Sequence, residues 1–388
     1  MRVLIAPDHF GGTLTAAQAG QVLARPWDGG GHEVLTAAMS DGSTGLIDAV
    51  QAARGGTLTP IEVRGSLGSP VPAAVLHVGG DGGGTAYIDG AALLGFSADG
   101  SSPEDARARA VEGSSAGLAD LLQAAVAGGA TRVVIGLGPS PTHDGGAGLL
   151  RRLTELTGLG TGTDAPAWSA LAGLREHLAG VDLVVAAATD TPLVGLHGAG
   201  AGLQRFGINA LEAQQIESAT SVFAHDAAGH ARALTPLRPV LAGHAHVLEP
   251  SSSHTGAGGG AAFALGLLGA RVLPGAAVVG EEVGLRDLMS RADLVLTGTA
   301  SLDADAMHEG VVATVGSLAA ERGLPVVAVA HEVYVNRREM ATVGISAAYP
   351  LIDQPLVPGN RPAAAHPADP VQALGARSVR VMRNWATA

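Results

Sequence analysis

Along nearly the whole chain, short apolar runs alternate with amphipathic stretches, and that rhythm leaves few architectures open. Arg2–Pro7, Glu33–Thr36 and Thr57–Val63 are too short for helices, and a helix-period stretch follows each of the first two. The pattern is that of a mainly parallel sheet covered by helices. The first helix is expected over Thr15–Arg25, with Thr13 or Thr15 as its N-cap, because a side-chain oxygen there can take an orphan N–H of the first turn. A second runs from about Thr44 to Arg54. After Thr57–Val63 the texture changes, with Gly65, Gly68, Pro70, Pro72, Gly79 and Gly80 breaking the sequence. Gly82–Gly84 fits a tight hairpin turn between strands Ala73–Val78 and Thr85–Asp89.

Further helices are expected over Pro103–Gly128, Ala147–Thr157, Ala167–Leu178, Leu211–Phe223, Gly256–Leu268 and Val283–Ser290. Strands Arg132–Gly136 and Leu183–Ala187 lie among them. The opening rhythm then returns in strand Leu294–Thr297, helix Val311–Arg322 and strands Val326–Ala330 and Gly344–Ala348. Asp353–Pro370, with five prolines, reads as a loop before a C-terminal helix. The resulting fold class is α/β with two domains. Residues 1–64 and 275–388 form a doubly wound parallel-sheet domain of flavodoxin or Rossmann type, and 65–274 form a large inserted α/β domain, with an active-site cleft between them. A length of 388 residues agrees with more than one domain.

The chain has no cysteine, which excludes disulfides, thiolate metal sites and cysteine nucleophiles. A net charge of −12 and the lack of any basic run argue against a nucleic-acid partner. Apolar stretches such as Val181–Ala188 end well short of the roughly 20 residues a membrane span needs, and Asp8 interrupts the N-terminal run too early for a signal peptide. A cytoplasmic location without membrane partners is the expectation, as a monomer or homodimer. All 23 cationic side chains are arginine, so no lysine can clamp a phosphate or act as a base.

In open α/β sheets ligands sit beyond the C-terminal ends of strands, and five loops put Asp or Gly clusters there. Pro7-Asp8-His9-Phe10-Gly11-Gly12-Thr13 follows the first strand; Asp8 could bind a metal or accept a hydroxyl proton, and Gly12 and Thr13 could approach an anion. Ser40-Asp41-Gly42 precedes a helix. Gly136 to Gly148 contains Gly138, Ser140, Thr142, Asp144, Gly145 and Gly146 before a helix, a reasonable anion cradle, although Pro139 and Pro141 carry no N–H. His143 could be a ligand or base. Asp190 follows strand Leu183–Ala187, while Thr297 and Gly298 lead to Asp303. Gly258 and Gly259 open a helix. Carboxylates at strand ends beside Gly-rich turns suit a Mg²⁺–phosphate site, with Asp41 and Asp190 as candidate metal ligands.

The same loops resemble the glycerate kinase family over nearly the whole chain. The resemblance rests on Ile5-Ala6-Pro7-Asp8 through Thr13, Met39-Ser40-Asp41-Gly42, Gly136 through Gly148, Asp190 with Pro192-Leu193, Gly258-Gly259, and Ala292 through Gly298 with Leu302-Asp303. It implies ATP- and Mg²⁺-dependent phosphorylation of D-glycerate, usually at the 2-hydroxyl, with Asp8, Asp41, Asp190 and Asp303 as catalytic acids. The family pattern differs at named places: Lys at Gly11, Ser at Thr13, Glu at Thr44, Asn at His143, Glu at Thr299, Arg at Ser301 and Gly-Lys at Glu309-Gly310. A single transition-state donor can be worth roughly 3–4 kcal/mol, so lost cations would need replacement from elsewhere, such as Arg151, Arg152, Arg205 or Arg271. Three readings stay open: an active glycerate kinase, a homologue that binds a small molecule without turnover, and a kinase for another small hydroxy acid.

Overall fold

The structure, a computed structural model, describes residues 1–79, 83–95, 103–160, 165–234, 248–352, 367 and 369–386. Its strands are β1 (Arg2–Pro7), β2 (Glu33–Thr36), β3 (Thr57–Arg64), β4 (Pro70–Val78), β5 (Gly84–Asp89), β6 (Ala130–Leu137), β7 (Asp182–Ala187), β8 (Arg271–Pro274), β9 (Leu294–Leu302), β10 (Val326–Val333) and β11 (Ala347–Pro350). They form two sheets, in two units. One unit comprises Met1–Asp41, Asp48–Gly55 and Ala276–Ala388; the other comprises Gly42–Ile47 and Gly56–Gly275.

In the first unit the strands lie in the order β2-β1-β9-β10-β11, all parallel. β1 leads to β2 on one side while β9 lies on its other side, so the winding direction reverses between β1 and β9. That is the position where open α/β sheets bind ligands. Alternate residues Val3, Ile5, Leu294, Leu296, Val327 and Val329 share a core with Leu23 and Trp27 of helix Ala16–Gly29 and with Leu374 and Val381 of helix Pro370–Trp385. The intervening Leu4, Val295 and Ala328 are equally buried, and helix Val311–Ala320 packs on these strands. Burial on both faces is why the strands read as continuous apolar runs. Thr15 caps the first helix in a reciprocal box with Gln18, an arrangement worth about 1 kcal/mol.

The second sheet has the order β3-β4-β5-β6-β7-β8; β3, β4 and β5 pair antiparallel and the remainder parallel. Leu118, Leu121 and Leu122 of helix Ala116–Ala127, Leu149, Leu150 and Leu153 of helix Ala147–Thr157, and Phe263 fill its core.

The structure departs from the expected elements at several points. Residues of β3, expected in the first domain, form the edge of the second sheet: β3 pairs along its length with β4, and Gly65 N–H donates to Ser69 O at 2.8 Å to close the hairpin. The helix expected over Pro103–Gly128 is two, Pro103–Glu112 and Ala116–Ala127, because Ser114 N–H turns away to Ser66 O. The helix expected to stop at Phe223 runs from Ala210 to Leu234, its second half held by buried Ala224, Ala227, Ala228 and Ala231. Gly82 of the expected turn, and 353–366 of the expected proline-rich loop, lie outside the described residues. Among the described residues no helix is long and apolar enough to cross a membrane.

Candidate active site

In the first unit, backbone pairing sets the site. Asp8 follows β1 directly, and its N–H donates to Gly298 O on β9 at 2.8 Å. The segment after β2 continues alongside β1, with Ala37 N–H donating to Ile5 O and Met39 N–H to Pro7 O, and so delivers Asp41 to the neighbourhood of Asp8. Asp8 is 7% exposed. Its Oδ1 accepts from His9 N–H at 2.8 Å and lies 3.9 Å from His9 Nε2. Burial pushes its pKa up to about 7; the His9 ring opposes this and the Asp41 charge adds to it. A carboxyl group poised near neutrality at the end of a sheet strand is suited to take and release a proton.

Other candidates in this unit are more internally engaged. Thr13 Oγ1 donates to Phe10 O at 2.5 Å, closing the turn through Gly11 and Gly12, and Thr15 rather than Thr13 caps the helix. Gly12 is exposed. Thr297 is fully buried and donates to Ala6 O at 2.8 Å. Gly298 is glycine because a Cβ would come within 2.7 Å of the Phe10 ring. Asp303 caps the short helix Ala304–His308 through Ala306 N–H and accepts from Ser301 Oγ at 3.0 Å.

In the second unit the loop after β6 is built around Asp144. Its two oxygens accept from Ser115 N–H (2.8 Å), Ser115 Oγ (2.9 Å), Gly146 N–H (2.9 Å) and Gly148 N–H (3.0 Å). The first-turn donors expected to face an anion therefore face this carboxylate, which satisfies the helix start that Gly145 and Gly146 open at φ +66° and +82°. Ser140 Oγ donates to Leu94 O at 2.8 Å. Gly258 N–H donates to Gly138 O and Gly145 N–H to Gly259 O, so the two glycine segments are laced together. Gly258 and Gly259 are buried at positive φ, and a Cβ on Gly259 would collide with Thr142 O. Thr142 Oγ1 and both ring nitrogens of His143 are buried without hydrogen-bond partners, and burial pushes the His143 pKa down to about 4.

Asp190 stands on the loop after β7, and sequence reasoning missed the residue that fixes it. His254 N–H donates to Asp190 O at 2.9 Å, its Nδ1 lies 2.9 Å from Thr189 O, and its backbone has φ +70°. Among the described residues it alone holds a positive φ without being glycine. Such a conformation persists only where the surroundings fix it, and two contacts to one loop do so. Cations suggested by the sequence are occupied or exposed: Arg152 pairs with Asp120 and Glu155, Arg271 with Asp182, and Arg151 and Arg205 face solvent.

One of the two α/β units is a doubly wound parallel sheet with a buried carboxyl group of pKa near 7 at its switch point, the architecture of open α/β folds that bind small ligands there. The chain belongs to the glycerate kinase family, whose model matches residues 3–385. It is 29% identical over 371 residues to the glycerate kinase of Bacillus subtilis, covering 91% of this chain and 90% of that one. It is 29% identical over 348 residues to the glycerate 2-kinase of Escherichia coli, covering 85% of each. The structure of a putative glycerate kinase 2 from Salmonella typhimurium superposes with a TM-score of 0.72 at 24% identity, covering 100% of this chain and 97% of that one.

Proposed function

We propose that the chain transfers the γ-phosphoryl group of ATP to D-glycerate, at its 2-hydroxyl, with Mg²⁺. The observation that supports this best is Asp8, a buried carboxyl group with a pKa near 7 beside Asp41. In the proposed reaction the substrate hydroxyl oxygen bonds to the γ-phosphorus while the bond from that phosphorus to the β–γ bridging oxygen breaks. The hydroxyl proton passes to the Asp8 carboxylate and then to solvent, and ADP leaves. Positioning and neutralisation of charge, rather than covalent chemistry, supply most of the rate in such transfers.

Hard carboxylate oxygens suit Mg²⁺, and the repulsion between Asp8 and Asp41, though outweighed by the opposing His9 ring, is one that a bound cation would relieve. Asp41 is the proposed ligand in the first unit and Asp190 the one in the second. When bound, the ion would neutralise phosphate oxygens. Gly12 and Thr13 in the first unit, and Gly138 and Ser140 in the second, are proposed to border phosphate. Asp144, Gly258 and Gly259 are proposed to hold the loop in shape, and Asp303, Thr297 and Gly298 to brace the ends of their strands. Phosphorus NMR of the product from D-glycerate, ATP and Mg²⁺ tests the reading: 2-phosphoglycerate supports it, and 3-phosphoglycerate overturns the regiochemistry.

A further inference from the structure

We infer that Arg109 anchors the carboxylate of the acid substrate, in a cavity of the second unit that rests on the phosphotransfer reading for its role. The cavity is about 550 Å³ and is walled mainly by apolar side chains, with Ser66, Ser69, Asp89 and Arg109 as its polar groups. Its volume is within the ordinary range for small-molecule sites.

Arg109 lies on helix Pro103–Glu112, and its Nε is buried with no hydrogen-bond partner. A buried donor left unsatisfied costs roughly 1–3 kcal/mol, and a carboxylate, which accepts from an arginine fork at two points, removes that cost. Several other arginines of this unit pair with carboxylates, among them Arg132, whose Nε also lacks a hydrogen bond but lies 3.3 Å from Asp182. Arg107 pairs with Glu212, Arg152 with Asp120, Arg232 with Glu249 and Arg271 with Asp182.

The side chain passes near the loop after β6. Gly95, at φ +90°, lies under it: a Cβ there would be 2.8 Å from Arg109 Nε and 3.2 Å from Pro141 Cγ. The guanidinium stem therefore runs beside the loop that carries Ser140, Thr142 and Asp144. Asp89, at the C-terminal end of β5, accepts from Ile47 N–H at 3.3 Å and lines the same cavity. One guanidinium for a carboxylate, with a carboxylate and serine hydroxyls for alcohol groups, is the recognition set of a small hydroxy acid. In a chain of net charge −12 without lysine, a cation so placed also selects anionic over neutral ligands.

Calorimetry of the full chain with D-glycerate, and with uncharged glycerol as the comparison ligand, tests the assignment alongside steady-state kinetics. Arg109→Gln should weaken D-glycerate binding and raise its KM by roughly 10- to 100-fold, the worth of a charged hydrogen bond, while the KM for ATP stays the same. Arg109→Lys should fall between, and Arg107→Gln, on the same helix, should match the parent. Glycerol binding should not respond to any of the three. Unchanged D-glycerate affinity in Arg109→Gln, with a native circular dichroism spectrum, overturns the anchor even if turnover continues. Arg109-dependent binding of D-glycerate without any phosphorylated product upholds the anchor and instead defeats phosphotransfer.

Discussion

Two buried titratable side chains carry opposite consequences. Asp8 has a folded-state pKa near 7, well above the 3.8 of an ordinary aspartate, because burial penalises its charge. Between those values the native state holds a proton that the unfolded state has lost, so stability falls as pH rises through the window. The loss is about 4 kcal/mol by linkage. Asp8→Asn should then melt at a higher temperature than the parent at pH 8 in EDTA, and at the same temperature near pH 4. Its kcat should drop by roughly 10²-fold or more if Asp8 is the base. Coincident melting curves at both pH values would show that the Asp8 charge is not destabilising. His143 has the reverse sign. Its pKa is depressed from 6.5 to about 4 by burial, so the unfolded chain takes up a proton that the native ring refuses. Stability is lost as pH falls from 6.5 to 4, by about 3 kcal/mol. In His143→Leu that part of the acid-induced drop in melting temperature should vanish; an unchanged slope below pH 6.5 would contradict the assignment.

At the level of elements, the lacing between the loop after β6 and Gly258–Gly260 is the most demanding packing near the candidate site. Gly259 combines φ +59° with a Cβ position that overlaps Thr142 O. Left-handed backbone costs about 1–2 kcal/mol for a residue with a Cβ, and overpacking a further 1–3. Gly259→Ala should therefore lose about 3 kcal/mol or more in urea denaturation, whereas a loss under 1 kcal/mol would show that the loop yields easily. Much of the element order was legible because periodicity survives in single segments: β1, β2 and helix Ala147–Thr157 begin and end where apolar runs and caps say. What was illegible depended on partners distant in sequence. β8 is a four-residue edge strand that only its pairing with β7 defines. The break at Gly113 depends on Ser66, and the extension of helix Ala210–Leu234 depends on alanines whose burial no local pattern declares.

For the whole molecule, the family and the α/β class could be read from loop sequences, because strand-end carboxylates and glycines keep their order along the chain. The work each residue does was far less legible. Asp144 and Asp303 look equivalent to Asp8 in sequence, yet hydrogen bonds make the first a brace for a helix start and the second a helix cap, while burial leaves Asp8 with a pKa near 7. Arg109 and His254 gave no signal at all, since one matters through a cavity and the other through a backbone conformation. A chain whose 23 cations are all arginine poses one question above the rest, whether phosphoryl transfer proceeds here without lysine. ADP release, followed with D-glycerate, ATP and Mg²⁺ present together, answers it most directly. Glycerate-dependent release that Asp8→Asn abolishes is the expected result; no release from a parent protein that binds D-glycerate by calorimetry would contradict it.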